Sequence, residues 1–173
     1  MANDKILYDV DGYDIITEAL MDLINQYPAL QGDSFTFATL NENSGKAMFP
    51  QVGAVIQQQR IDVLGRVRQI CQYPFYIVYR AGGLSSNRKL NVKEWLDNLG
   101  RWLEGQPITV NEETHRLEKY PELSEGRRFT QIQRSSVASL NSINDNNTED
   151  WAIVITAQYT NDFTFYEVIK WQI

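Results

Sequence analysis

The sequence predicts a single α+β domain, a mostly antiparallel β-sheet with two principal helices packed on it. Two kinds of periodicity carry that prediction. Apolar residues recur at three- and four-residue spacing in segments 14–26 and 91–104, which marks a helix with one buried stripe. Elsewhere they alternate, most clearly over 67–79 and 151–159, as they do in strands with one buried face. A chain of 173 residues with 43% hydrophobic and 22% charged residues can build one core and does not have the composition of a disordered chain. No internal repeat or linker divides it, so residues 1–173 are read as one domain.

In chain order, the first helix is expected over Asp14–Gln26. Ile16, Ala19, Leu20, Leu23 and Ile24 form its stripe, Asp11 or Asp14 its cap, and Pro28 its end. Ser34–Leu40 alternates like a strand, and Asn41–Gly45 has turn chemistry. Between Val52 and Tyr79, Gly65 is expected to divide two strands. In the second of these, Val67, Cys71, Tyr73, Phe75, Ile77 and Tyr79 share a face, with Gln69 as the exception. Pro74 cannot donate to a ladder, so it predicts an edge or a bulge. After the glycine-rich link Ala81–Ser86, the second helix is expected over Asn91–Glu104. Val92, Trp95, Leu96, Leu99, Trp102 and Leu103 make its stripe, Asn91 and Glu94 a capping box, and Gly105-Gln106-Pro107 its end. Gly100 inside this helix costs about 1 kcal/mol against alanine, which points to close packing there. Residues 111–126 and 141–150 read as long polar loops flanking strands at Phe129–Leu140 and Trp151–Tyr159. Phe163–Ile173 reads as a final strand or docked arm.

Composition narrows the function. No apolar run approaches the ~18–20 residues of a membrane span, and the N-terminus lacks the basic start and apolar stretch of a signal peptide. The expectation is a soluble protein made and kept inside the cell, without membrane contact. One cysteine, Cys71, rules out an intrachain disulfide. A net charge of −6 argues against sequence-specific nucleic-acid binding. That charge is uneven: −6 over residues 1–59, +5 over 60–103 and −5 over 104–173. Such a map suits either a solvated surface with ordinary ion pairs or head-to-tail association between subunits. In the second case the oligomer interface would draw Arg60, Arg66, Arg68, Arg80, Arg88 and Lys89 against Glu112, Glu113, Glu122 and Glu125. Tyr76 would belong to it as part of an aromatic strand richer than two helices can cover.

No catalytic constellation emerges. His115 is alone in a polar loop, and with one histidine and one cysteine the usual transition-metal ligand sets cannot be assembled. Cys71 falls on an apolar strand face and reads as a small buried hydrophobe. Ser44-Gly45-Lys46 lacks the spacing of a phosphate loop, and Gly82-Gly83 that of a dinucleotide loop. The acidic pairs Glu112/Glu113 and Glu149/Asp150 have no apolar neighbours to raise a pKa. No catalytic, metal or cofactor-binding residue is assigned, and the chain is not expected to be an enzyme.

The stretch VRQICQYPFYIVYR at 67–80, leading through the glycine-rich link into KEWLDNLGRWLEGQ at Lys93–Gln106, resembles the minor capsid or tail-completion (tail terminator) proteins of siphophages and prophages of Gram-positive bacteria. The resemblance covers roughly residues 12–160 and is most specific in the second helix. It implies a small α+β fold with a curved sheet and a homo-oligomeric ring, commonly a hexamer, on the end of the tail tube. There the ring would halt tube polymerisation and join tail to head, with the tail-tube and head-connector proteins as partners. The virion tail or neck would be its location, after assembly in the host cytoplasm, and no cofactor is implied. A minor capsid or head–tail connector role, a non-phage adaptor domain of similar fold, and a small hydrolase using the loop carboxylates are the alternatives.

Overall fold

The computed structural model describes residues 5–164. In chain order its elements are strand β1 (Leu7–Tyr8), helix α1 (Val10–Ile24), a 3-10 turn (Pro28–Leu30), β2 (Thr36–Phe37), β3 (Gly45–Pro50), β4 (Val55–Ile61), β5 (Arg66–Gly82), α2 (Ser86–Leu103), β6 (Ile108–Val110), β7 (Glu113–His115), β8 (Arg127–Arg134), β9 (Ser139–Ile143) and β10 (Thr148–Thr164). Strands β5 and β10, each 17 residues long, pair antiparallel from Arg66–Thr164 to Gly82–Thr148. The outer edge of β5 carries β3 and β4 end to end, and that of β10 carries β9 and β8. β1 extends the sheet beyond β4, and β2 lies parallel to β3. The fold is α+β with a mostly antiparallel sheet, as the periodicity predicts.

The expected face assignment of the long strands holds. Cys71, Tyr73, Phe75 and Ile77 of β5 lie directly opposite Tyr159, Ala157, Ile155 and Ile153 of β10, and all are fully buried. Ile16, Leu20, Leu23 and Ile24 of α1 and Leu96, Leu99, Trp102 and Leu103 of α2 join the same core. Both helices therefore cover one face of the sheet.

Several boundaries move, each for a local reason. α1 begins at Val10 because Asp9, rather than Asp11 or Asp14, caps it by accepting from the Gly12 amide. It ends at Asn25, before the 3-10 turn that Pro28 begins. The Ser34–Leu40 strand shrinks to β2. α2 starts five residues earlier than the Asn91 capping box predicts, with Ser85 as its N-cap. Pro74 sits in a central strand rather than at an edge. Its carbonyl accepts from Gln51 on the β3/β4 side, and neighbouring N and C=O of a strand residue point the same way. Its missing N–H thus faces the gap between Pro50, where β3 ends, and Val55, where β4 begins.

Residues 141–150 are not a loop. β9 turns through Asn144–Asn147 directly into β10, with the Asn147 amide donating to the Asn144 carbonyl and Asn147 at φ 62°. Residues 111–126 are a loop in part: β7 pairs with β6, and Leu117, Tyr120 and Leu123 pack against the core. The Tyr120 hydroxyl donates to Leu103 O, pinning this segment to the end of α2. Of the expected C-terminal strand or arm at 163–173, Phe163 and Thr164 end β10 and the rest lies outside the described residues.

Trp95 is half-buried where α2 meets the 3-10 turn. Its ring stands edge-on to Tyr27 (5.0 Å) and Tyr79 (5.2 Å), and its indole N–H donates to Ala29 O. Trp95→Ala is expected to lower unfolding free energy by about 3–5 kcal/mol, whereas Leu90→Ala, on the exposed side of the same helix, should change it by less than about 0.5 kcal/mol. Denaturant unfolding of both variants checks this, and equal midpoints would show that the aromatic cluster does not anchor α2.

Candidate assembly surface

The second face of the sheet has no helix on it. Reading across from β4 or β3 to β5 and β10, its opposed sets are Arg60–Arg68–Asp162, Gln58–Ile70–Thr160, Val55–Gln72–Gln158 and Phe49–Tyr76–Val154. Gln131 and Gln133 continue it on β8. The centre is half-exposed and mixes glutamine and threonine with one aromatic pair, Phe49 stacked on Tyr76 at 5.4 Å and 10°. Among the aromatic residues that the strand alternation concentrates, Tyr73 and Phe75 belong to the core and Tyr76 to this open face.

Charge closes both ends of the face. Arg68 makes a bidentate pair with Asp162 at 2.8 and 3.0 Å. Arg80 does the same with Asp150 at 2.7 and 2.8 Å, and it also donates to Asn41 O. Asp150 further accepts from Asn144 and Ser142. The Arg80 hydrogen bonds outweigh burial and hold the Asp150 carboxyl below the usual carboxylate range. Lys89 reaches Glu149 at 2.8 Å, and Arg66 is tied to Asp62 at 2.6 Å.

Four of the six basic residues predicted at an oligomer interface are therefore engaged within their own chain. Among the acidic ones, Glu125 faces Arg127 at 3.4 Å and Glu113 lies 3.8 Å from His115. Among the described residues Arg60, Arg88, Glu112 and Glu122 make no ion pair. The geometry does not gather the predicted set into one patch: Arg60, Arg66, Arg68, Arg80 and Tyr76 share the sheet, Arg88 and Lys89 lie on α2, and the acidic residues lie in the β6–β7 turn, on β7 and in the loop before β8.

The core face carries a polar cluster that the sequence did not flag. The Asp9 carboxylate accepts from Arg127 Nε (2.9 Å) and Nη2 (2.6 Å), from the Tyr159 hydroxyl (2.7 Å) and from the Gly12 amide (3.1 Å). Burial alone would raise the Asp9 pKa, but these hydrogen bonds and the guanidinium charge outweigh it and hold it below the ordinary value. Burial and the Asp9 bond push the Tyr159 phenol upward. Gln69, the polar exception on the apolar face, donates to Gln59 and accepts from Asn161, so its amide is satisfied.

Cys71 and the Glu149/Asp150 pair are held away from the states that nucleophilic or general-acid chemistry needs. Burial pushes the Cys71 thiol up to about 11, the opposite of activation. The carboxylates of Glu149 and Asp150 are both held low, Glu149 chiefly by Lys89, whereas a general acid needs a raised pKa. Among the described residues no cluster of three His, Cys, Asp or Glu is placed to hold a metal ion, and no helix is long and apolar enough to cross a membrane. Lys46, of the Ser44-Gly45-Lys46 sequence, lies on β3 with its ammonium 4.4 Å from the Tyr79 ring and paired to Asp33.

Sequence reasoning missed two surface features. One is Phe49, which shares the Ala47 face of β3 and alternates with the buried Met48. The other is the β4–β5 turn, where Val63 and Leu64 stand exposed between Asp62 and Gly65. No protein-family model matches the chain, and no curated protein matches it.

The Asp9 cluster generates a pH prediction. A carboxyl whose folded pKa lies below its unfolded value stabilises the fold above the unfolded pKa, and the gain disappears as pH falls through the folded pKa. Stability should therefore drop on acidification below about pH 4. Asp9→Asn leaves the buried Arg127 with only the exposed Glu125 carboxylate, at 3.4 Å, as counter-charge, a change that costs about 3–5 kcal/mol at neutral pH. The variant should also lose less than wild type between neutral and acid conditions. Urea midpoints of both proteins at several pH values give the comparison, and parallel curves would mean that folding does not lower the Asp9 pKa.

Proposed function

We propose that this chain is a structural subunit of the phage tail-completion type, which acts by binding alone: copies form a ring on the end of a tail tube, stop its growth and join it to the head. The observation that carries the reading is the uncovered sheet face. A sheet four strands across its middle, with helices on one side only, leaves Phe49, Tyr76, Val154 and a field of glutamine and threonine half-exposed. Such a mixture of aromatic and polar groups, without buried unpaired charge, is suited to a protein interface. The resemblance of residues 67–80 and 93–106 to tail-completion proteins supports the same reading, as does the low, paired state of the Glu149 and Asp150 carboxylates.

In this proposal Tyr76 contributes contact area, and Arg60 and Arg88 face Glu112 or Glu122 of a neighbouring copy. Exposed pairs of this kind give about 0–1 kcal/mol each, so they tune association rate and salt dependence while apolar contacts supply most of the affinity. The test adds purified protein to a polymerising tail-tube protein and measures tube length by electron microscopy. Short tubes of narrow length distribution, each ending in a ring, are expected. Unaltered tube lengths with no protein on the tube ends would refute the proposal.

A further inference from the structure

We infer that the tip of the β4–β5 hairpin is a knob that seats in an apolar groove beside the N-terminus of α1 on a second copy of this chain. The inference rests on the ring reading above and assigns the contact that would build it.

The knob is Val63 and Leu64, with Ile61 at its base. Val63 is fully exposed, and more than half of the surface of Ile61 and Leu64 is open. Apolar side chains at a hairpin tip gain nothing from water, yet this tip is held rigidly. Asp62 Oδ1 accepts from the amides of Leu64 and Arg66, Oδ2 accepts from Arg66 Nε, and the Gly65 amide donates to Asp62 O. Gly65 supplies the left-handed residue, φ 77°, that a tight hairpin of this type requires. A fixed loop presenting apolar groups loses little entropy on docking.

The groove lies between β1, the start of α1 and the 50–54 turn. Tyr8, Val10, Tyr13, Pro50 and Val52 line it, with Asp14 at its rim. Val10 and Val52 are mostly exposed and Tyr8 about half so. It is the apolar depression that matches an apolar knob in chemistry, and a monomer has little reason to leave such a patch open.

The two sites cannot meet within one chain. Tyr8 pairs with Val55, and the eight residues from there to Val63 span about 25 Å of strand. Their charges are complementary. The exposed face of α1 carries Asp11, Asp14, Glu18 and Asp22 with no lysine or arginine in the helix, and none is ion-paired among the described residues. Arg60, Arg66 and Arg68 flank the knob, all exposed; Arg66 and Arg68 are paired with Asp62 and Asp162, and Arg60 is unpaired among the described residues. One knob and one groove per copy make a heterologous contact, the kind that closes into a ring when the rotation per copy allows.

Cysteine pairing tests the contact, because Cys71 is buried and only introduced thiols react. A Val63→Cys chain mixed with a Val52→Cys chain is expected to form a mixed disulfide dimer under mild oxidation, in preference to either homodimer. Val63→Asp with Leu64→Asp should raise the concentration at which oligomers dissociate by at least about tenfold, with the monomer's unfolding midpoint unchanged. An oligomer by light scattering that gives no mixed dimer overturns the knob-and-groove contact and leaves the ring. Loss of monomer stability in the double variant with assembly intact overturns it also, since the tip would then be covered by its own chain. A protein that stays monomeric at every concentration and on its tube overturns the contact and the ring together.

Discussion

The full-length pairing of β5 with β10 is the constraint on which the rest of this structure depends. Seventeen residues on each strand meet in unbroken register, and side chains in a strand alternate faces with period two. A slip of one residue would carry one strand's apolar set, either Tyr73, Phe75 and Ile77 or Ile153 and Tyr159, to the open face and bring that strand's polar residues under the helices. The rest of the main sheet hangs from this ladder. The four outer strands pair with it as two end-to-end couples, and both helices lie on the face that it makes apolar.

A second constraint closes the domain over the ladder. Asp9 caps α1 and binds Arg127 of β8 and Tyr159 of β10, so a single carboxylate joins the chain's beginning to strands from its second half. Gly12 is what lets α1 approach: a Cβ there would overlap the Asp9 carboxylate and lie 2.8 Å from the Tyr159 hydroxyl. Gly100 plays the matching part in α2, where a Cβ would overlap the Arg134 side chain, which Glu104 holds across the helix through a 2.9 Å bond to Nε. Both glycines sit inside helices at a cost of about 1 kcal/mol each against alanine, offset by charged groups that find partners under the helix.

The legible part of the fold was the part written in apolar periodicity. The stripes of α1 and α2 and the alternation in β5 and β10 placed the core residues correctly, because burial on one face imposes those periods directly. The illegible parts depended on tertiary pairing. Pro74 was readable only as a ladder breaker, and the gap between β3 and β4 that accommodates it is set by strands up to 24 residues earlier. Asn141 and Ser142 are polar because β9 is an edge strand with a mostly solvated surface, and residues 148–150 because they are buried in hydrogen bonds and ion pairs at the start of β10, so neither left an alternation to read. Asp9 looked like one acidic residue among several, since nothing local identifies Arg127, 118 residues away, as its partner. The candidate surface was legible in composition, as an excess of aromatic strand residues, and illegible in geometry, which needed the register to separate Tyr76 from Tyr73 and Phe75.

The same register explains the alternation of charge along the chain. The basic middle of the sequence contains β5 and the acidic last third contains β10, and the two blocks meet through Arg68–Asp162 and Arg80–Asp150, directly opposed residues near the two ends of the ladder. Lys89–Glu149 extends the pattern onto α2. A slip of two residues would keep every side chain on its proper face, so the apolar pattern alone does not forbid it. That slip would set Arg68 against Thr160 or Thr164 and Arg80 against Ala152 or Thr148, leaving Asp150, which is buried, without its counter-charge. Breaking a buried pair is costly even where forming it contributes little. The charges at the ladder's ends thus select among registers that the apolar residues accept equally. Much of the opposite-sign patterning is consumed in specifying the fold of one chain, and exposed charges left over, Arg60 near the hairpin tip and the acidic face of α1 among them, remain available to a neighbour.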